Sequence, residues 1–189
     1  MLPKHKYLLS YRYAELVHDG TVVFTTKYLG DFQNRRTREQ MDQAARSGKQ
    51  NIVEGVEDSP TSKKTEIKLL GIARGSIEEL ITDYEDYLRQ HNLKIWPKTD
   101  QRILNFRSLG YHLSDLRNLS SLGEFKEKLV LPNNSEHAAN LLLTFSHLAS
   151  FLLDRQITSA KDKFIKVGGL TEELFRKRSE YRYNKGKSP

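Results

Sequence analysis

The sequence predicts an all-α protein, an antiparallel up-down four-helix bundle with an additional helical C-terminal extension. Three observations predict it. Apolar residues recur at three- and four-residue spacing through most of the 189 residues. No stretch shows sustained two-residue alternation. The clearest striped segment runs for roughly thirty residues, about 45 Å of helix, a length that suits a bundle better than an α/β crossover.

The first segment spans about Lys4 to Leu29, with Leu9, Tyr13, Leu16, Gly20 and Val23 on one stripe and Phe24 beside it. Val22 to Thr26 are β-favouring but lie inside that helical stripe. Gly30-Asp31 punctuates. A second segment starts near Thr37, with Gln40 placed for a capping box, and runs to about Asp58. Ser59-Pro60-Thr61-Ser62 stops it and caps the third, about Ser62 to Asn92, striped by Ile67, Leu70, Ile77, Leu80, Ile81, Tyr84 and Leu88. Thr99 or Asp100 caps a fourth, with Ile103, Phe106, Leu109, Leu113 and Leu116 inward. Beyond Asn118 a short helix is expected over Glu124–Leu131 and a longer one over about Ser135–Arg155. Gly168-Gly169 then precedes a short basic helix, Leu174 to about Arg182. The expected organisation is a bundle over 1–118, a helical extension over 119–167 and a basic tail over 168–189.

Composition narrows the function. No cysteine is present, so a disulfide scaffold, a thiolate zinc site, an iron–sulfur cluster and a cysteine nucleophile are excluded. No apolar run approaches the ~20 residues that span a bilayer, and the first ten residues lack a signal-peptide core, so a cytoplasmic protein is expected. The histidines lack metal-ligand spacing, and no phosphate-binding glycine loop occurs, so neither enzyme nor cofactor is expected. Of the net charge of +7, five units fall between Lys161 and Pro189, where nine basic residues meet four acidic ones. That asymmetry points to a polyanionic partner or to a solvated tail.

Two groups of residues go beyond a generic bundle. Ala44, Ala45, Ser47, Gly48 and Gly55 are small, and Gly71, Gly75 and Ser76 answer them one segment later. Either the two helices approach closely, or the glycines are tolerated on exposed faces. Polar Asn51, Glu54, Arg74 and Glu78 sit among them; Arg74 and Glu78 have ion-pair spacing, and Glu54, Arg74 and Ser76 are placed to form a buried network. The second group is basic. Arg35, Arg36 and Arg38 open the second helix, and Lys63, Lys64 and Lys68 the third. In the tail, Arg176, Lys177, Arg178 and Arg182 interleave with Phe175, Tyr181 and Tyr183, a mixture of phosphate-binding and base-stacking side chains. The tail aromatics fit equally a role in docking on the bundle or on a neighbouring subunit.

Residues Gln43 to Gly55 resemble the second-helix signature R-R-A-A-x-S-I-x-x-N-I-A-E-G of the four-helix-bundle family named for the protein encoded in the intervening sequence of some bacterial 23S rRNA genes. Ala73 to Leu80 resemble its third-helix pattern, A-x-G-S-x-x-E-L, and Asn51, Glu54, Gly55, Arg74, Gly75 and Ser76 carry the match. The resemblance covers about Lys4 to Asn118. Gly168 to Arg176 resemble the suffix extension found on a subgroup of that family. The family's bundles are similar to the accessory variability determinant of diversity-generating retroelements. The resemblance therefore implies a homo-oligomer (a barrel-shaped pentamer), nucleic-acid binding through a basic surface, with RNA or DNA as ligand, and association with a reverse transcriptase or another protein. This sequence departs from the pattern at Gly48, where an apolar residue is common, and in a bundle portion that is nearly neutral. Arg176, Lys177, Arg178, Arg182, Arg35, Arg36 and Arg38 are the candidate nucleic-acid contacts. A structural or protein–protein scaffold with no nucleic-acid role is the alternative, with the broad apolar face of the third helix, including outward positions such as Ile72, as its contact.

Overall fold

The computed structural model describes residues 1–185. Lys187, counted in the basic tail, lies outside the described residues. The chain is helical, and among the described residues there is no strand beyond one isolated bridge. The helices are α1 (Leu9–Tyr28), α2 (Arg35–Asp58), α3 (Lys63–Gln90), α4 (Gln101–Leu113), α5 (Ser135–Val167) and α6 (Leu170–Lys185).

Local chemistry sets the helix ends. Lys4–Tyr7 form a separate 3-10 turn, because Leu8 is extended (φ −84°, ψ 125°) and its N–H donates back to His5. α2 begins three residues earlier than a Thr37 cap implies. The Asp31 carboxylate accepts from both the backbone N–H and the side-chain amide of Asn34, at 2.9 and 2.8 Å, and that turn launches the helix. Ser62 caps α3 by accepting from the Thr65 N–H, Asp100 caps α4 through Arg102 and Asn134 caps α5 through His137. The segment 124–131 is not helical. Gly123 (φ +80°) reverses the chain into a Leu119–Phe125 bridge, and Phe125 and Leu129 then lie against the core.

α1 packs against α2 and α5, and α3 packs against the same two helices, while α4 lies against α5. Contacts along each pair run in opposite sequence directions. Thr25 donates to Asp42 at 2.8 Å, and His18 lies 3.2 Å from Lys49. Ser47 meets Ser76 at 2.9 Å, and the Gly55 backbone lies beside Leu69. Arg74 pairs with Asp154 at 3.1 Å, and Ser150 donates to Glu78. Ser10 donates to Gln156 at 2.6 Å, and Gly20 lies under Leu142.

The core is continuous through these four helices. Leu141, Leu142, Phe145, Ala149 and Leu153 of α5 belong to the same buried cluster as Leu16, Phe24, Ile52, Leu70, Ile77 and Leu80. Tyr13 meets Phe145 edge-on at 5.9 Å, and Phe24 meets Tyr84 edge-on at 5.3 Å. Fully buried Tyr84 places its hydroxyl 2.9 Å from Thr21 Oγ1, so the phenol is satisfied across the interior. Residues 119–167, set apart in the sequence reading as an extension, thus include a helix of the main core. α4 is the more peripheral element: Ile103 and Leu113 are buried, but Leu109 is exposed, as is Leu116 in the short turn beyond its end. On α3, Ile72 is exposed as well.

Candidate nucleic-acid interface

Basic residues from three helices gather at one end of the molecule. α5 runs on past Arg155, where the sequence reading stopped it, because Ile157 and Ala160 still reach the core. Its last turns carry Phe164 beside the start of α3, where Lys64 Nζ sits 6.0 Å over the Phe164 ring. Gly168 (φ +79°) then breaks the helix; its N–H satisfies the Phe164 carbonyl. A small cavity of about 230 Å³ at this junction is lined by Ser59, Lys63, Lys163, Gly169, Leu170 and Glu173 among others. The head of α3, the end of α5 and the head of α6 therefore meet, and Lys63 and Lys64 of α3 share that end with Lys163 of α5.

The head of α6 is held by reciprocal contacts. Glu172 accepts from the Gly169 N–H at 2.9 Å, and Arg176 donates to the Val167 carbonyl at 3.1 Å. Backbone N–H donors keep the Glu172 carboxyl below its ordinary range, with smaller contributions from Lys64 and Arg176. Lys177 pairs with Glu173 at 2.6 Å. Two of the four tail cations thus serve intrachain contacts. Arg178 and Arg182 have no ion-pair partner among the described residues, and all of α6 is exposed.

Helical geometry sorts the rest of α6. Arg178, Arg182 and Lys185 are four and three residues apart, so they form one stripe. Leu174 and Tyr181 flank it on one side and Phe175 on the other. Glu172, Glu173 and Glu180 fall on the opposite face at 100° per residue. One face is therefore cationic and aromatic, and the other is close to neutral. Periodicity would have shown this in the sequence; the helix was expected to start only at Leu174.

The arginines of α2 are elsewhere. Arg35 pairs with Glu39 at 2.8 Å, and Arg36 borders a shallow groove between α2 and α3 that also holds Glu39, Glu79 and Asp83. Arg35, Arg36 and Arg38 open α2, whereas the α6 junction meets Ser59 just past its end, some 24 residues or about 36 Å away. The structure does not bring the two predicted clusters onto one surface. The acids beside Arg35 and Arg36 also reduce the field of that cluster.

The motif residues resolve into packing. Gly48 lies under Ile77, with a would-be Cβ 2.8 Å from Ile77 Cδ1, and Gly55 lies 3.3 Å from Leu69 Cβ by the same construction. On α2 the small residues therefore serve close approach. On α3 the two glycines do not: Gly71 and Gly75 face open space. Asn51 donates to the Ser47 carbonyl at 2.9 Å, and Ser47 contacts Ser76, which ties α2 to α3. The expected Glu54–Arg74–Ser76 network is not formed. Glu54 is exposed, Arg74 reaches across to Asp154 on α5, and Glu78 accepts from Ser150 rather than pairing with Arg74. Both α3 side chains point away from α2, toward a helix whose position the sequence reading did not anticipate.

Among the described residues, no helix is long and apolar enough to cross a membrane. No protein-family model, curated protein or solved structure matches the chain.

Proposed function

We propose that this chain is a non-enzymatic, cytoplasmic, oligomeric protein that binds nucleic acid through α6. Its scaffold is an antiparallel up-down four-helix bundle made of α1, α2, α3 and α5. The opposed contacts along each neighbouring helix pair support that architecture. The observation that carries the function is α6 itself, a 16-residue helix with no buried residue and a cationic stripe bordered by aromatics. A helix this polar gains little by docking on its own core, while arginines and tyrosines suit phosphates and unpaired bases. Lys64 and Lys163 extend the positive surface at its base, where Lys63 is paired with Glu66 at 3.0 Å. The motif resemblance adds a homopentamer and a reverse transcriptase or other nucleic-acid-processing partner to this reading.

The test is fluorescence anisotropy with a mixed-sequence single-stranded 30-mer over a range of salt. Replacing Arg178, Arg182 and Lys185 by glutamine is expected to weaken binding by at least tenfold at low salt and to flatten the salt slope by about 2 units, roughly 0.7 per lost phosphate contact. An unchanged affinity and slope removes α6 from the account.

Exposed Ile72, set between two glycines with open space above them, favours a second reading. In that scaffold reading α3 contacts another copy or a protein partner. Ile72→Glu then dissociates the assembly in light scattering while leaving the helical signal intact.

A further inference from the structure

A groove of about 580 Å³ lies between α4, α5 and the segment 95–98, far along α5 from the α6 junction. Its size falls within the ordinary range for small-molecule sites. The wall formed by Trp96 is fixed. Its backbone N–H donates to Asn140 Oδ1 at 2.9 Å, its indole N–H donates to Glu136 at 2.7 Å, and the Arg102 guanidinium stacks 3.5 Å over its ring. Asn140 in turn donates to the carbonyl of Lys94 at 2.8 Å. Along the same groove Leu148 is half-buried, and Ile95 and Phe151 stand 51% and 57% exposed. Two large apolar side chains left in water beside a preorganised cavity offer area for an apolar guest.

The polar lining is one-sided. Lys98 and Arg107 line the groove, and no carboxylate does. Neither cation has a hydrogen bond or ion pair among the described residues, and Arg107 Nε is buried with no acceptor. A buried guanidinium N–H without a partner is costly, and a carboxylate satisfies a guanidinium in bidentate fashion. His147, on the same lining, is held below its ordinary pKa first by burial; Lys98 and Arg107 push the same way, and Glu78 and Glu85 of α3 oppose them.

We infer that this groove binds a small amphipathic carboxylate, its apolar body against Ile95, Leu148 and Phe151 and its carboxylate on Arg107 and Lys98. The site is independent of α6, so its failure and that of the nucleic-acid reading are separable.

Trp96 is the sole tryptophan of the chain and lines the groove, so its emission reports occupancy. The probe is decanoate, kept below the concentration at which it self-associates, titrated into the full-length protein. A saturable change in Trp96 emission is expected. Arg107→Gln should weaken it at least tenfold, and 1-decanol should bind at least tenfold more weakly than decanoate. Phe151→Ala, at an exposed position where folding is not at stake, should weaken decanoate severalfold. Nucleic-acid anisotropy should be unchanged in both variants. A flat response to decanoate overturns the inference. So do equal affinities for decanoate and decanol, and unchanged affinities in the two variants. A Trp96 emission that varies with protein concentration and ignores decanoate also overturns it, by making a second copy the occupant.

Discussion

α5 and α6 follow one another across two glycines and meet opposite fates. α5 buries fourteen of its 33 residues, and α6 buries none of its 16. The difference lies in the order of residues as much as in composition. α5 keeps an apolar stripe from Ala138 to Ala160 that both α1 and α3 can cover. In α6, Leu174, Phe175 and Tyr181 are interleaved with arginines on the same face, so no dry stripe exists to dock. One helix is held by the protein's interior, and the other is exposed along its described length and tied at its head by Glu172 and Arg176.

The most forceful way to break that contrast is truncation. A chain ending at Asn118 should show no cooperative unfolding transition in urea, because it exposes the faces of α1 and α3 that α5 covers. A chain ending at Gly169 should unfold cooperatively within about 1 kcal/mol of the full protein, since deleting an unburied helix removes only surface interactions. A folded 1–118 fragment would show that α5 is dispensable to the core.

A smaller effect separates buried from exposed glycines. Gly75→Ala should stabilise by about 0.5–1 kcal/mol, because helix propensity improves and the new methyl meets nothing. Gly48→Ala should lose that gain and more, because its methyl would press on Ile77 Cδ1. Adding Ile77→Val, which removes that carbon, should recover part of the loss in the double mutant. Equal effects at the two glycines would deny the close approach of α2 and α3.

The smallest effect is local to the caps. Asp100 is held at about 2, chiefly by the Arg102 side chain and then by its backbone N–H. A carboxyl whose folded pKa lies below the ordinary value of about 3.9 contributes fully above that value, and the contribution is lost as pH falls through about 2. NMR titration of Asp100 should place the midpoint there, and Arg102→Gln should raise it. A midpoint at the ordinary value would remove the cap interaction.

Much of this was legible in local pattern. The striped segments, the Ser62 and Asp100 caps and the stop at Gly168-Gly169 follow from spacing and from backbone groups that need partners at helix ends. The segment 124–131 was misread as helical: Phe125 and Leu129 have helix-like spacing, yet Gly123 and the bridge to Leu119 hold the chain irregular. Of the candidate interface, the basic and aromatic residues were legible and their sorting onto one face of α6 was accessible. Their union with Lys63 and Lys64 was not, since a hundred residues separate them in sequence.

By itself the sequence determined that the chain is largely helical, where several of its helices start and stop, and that its positive charge is concentrated at the C-terminal end. Hydrophobic period and capping are local properties and can be read without partners. Only the tertiary structure decided which helix completes the core. α4 and α5 both present apolar residues, and the choice of α5 rests on the length of its stripe and its fit against α1 and α3. The same choice redirected Arg74 and Glu78 to α5, left Gly71 and Gly75 in the open, and opened the groove beside Trp96. Burial is a relation between segments, and the period of one segment does not specify its partner.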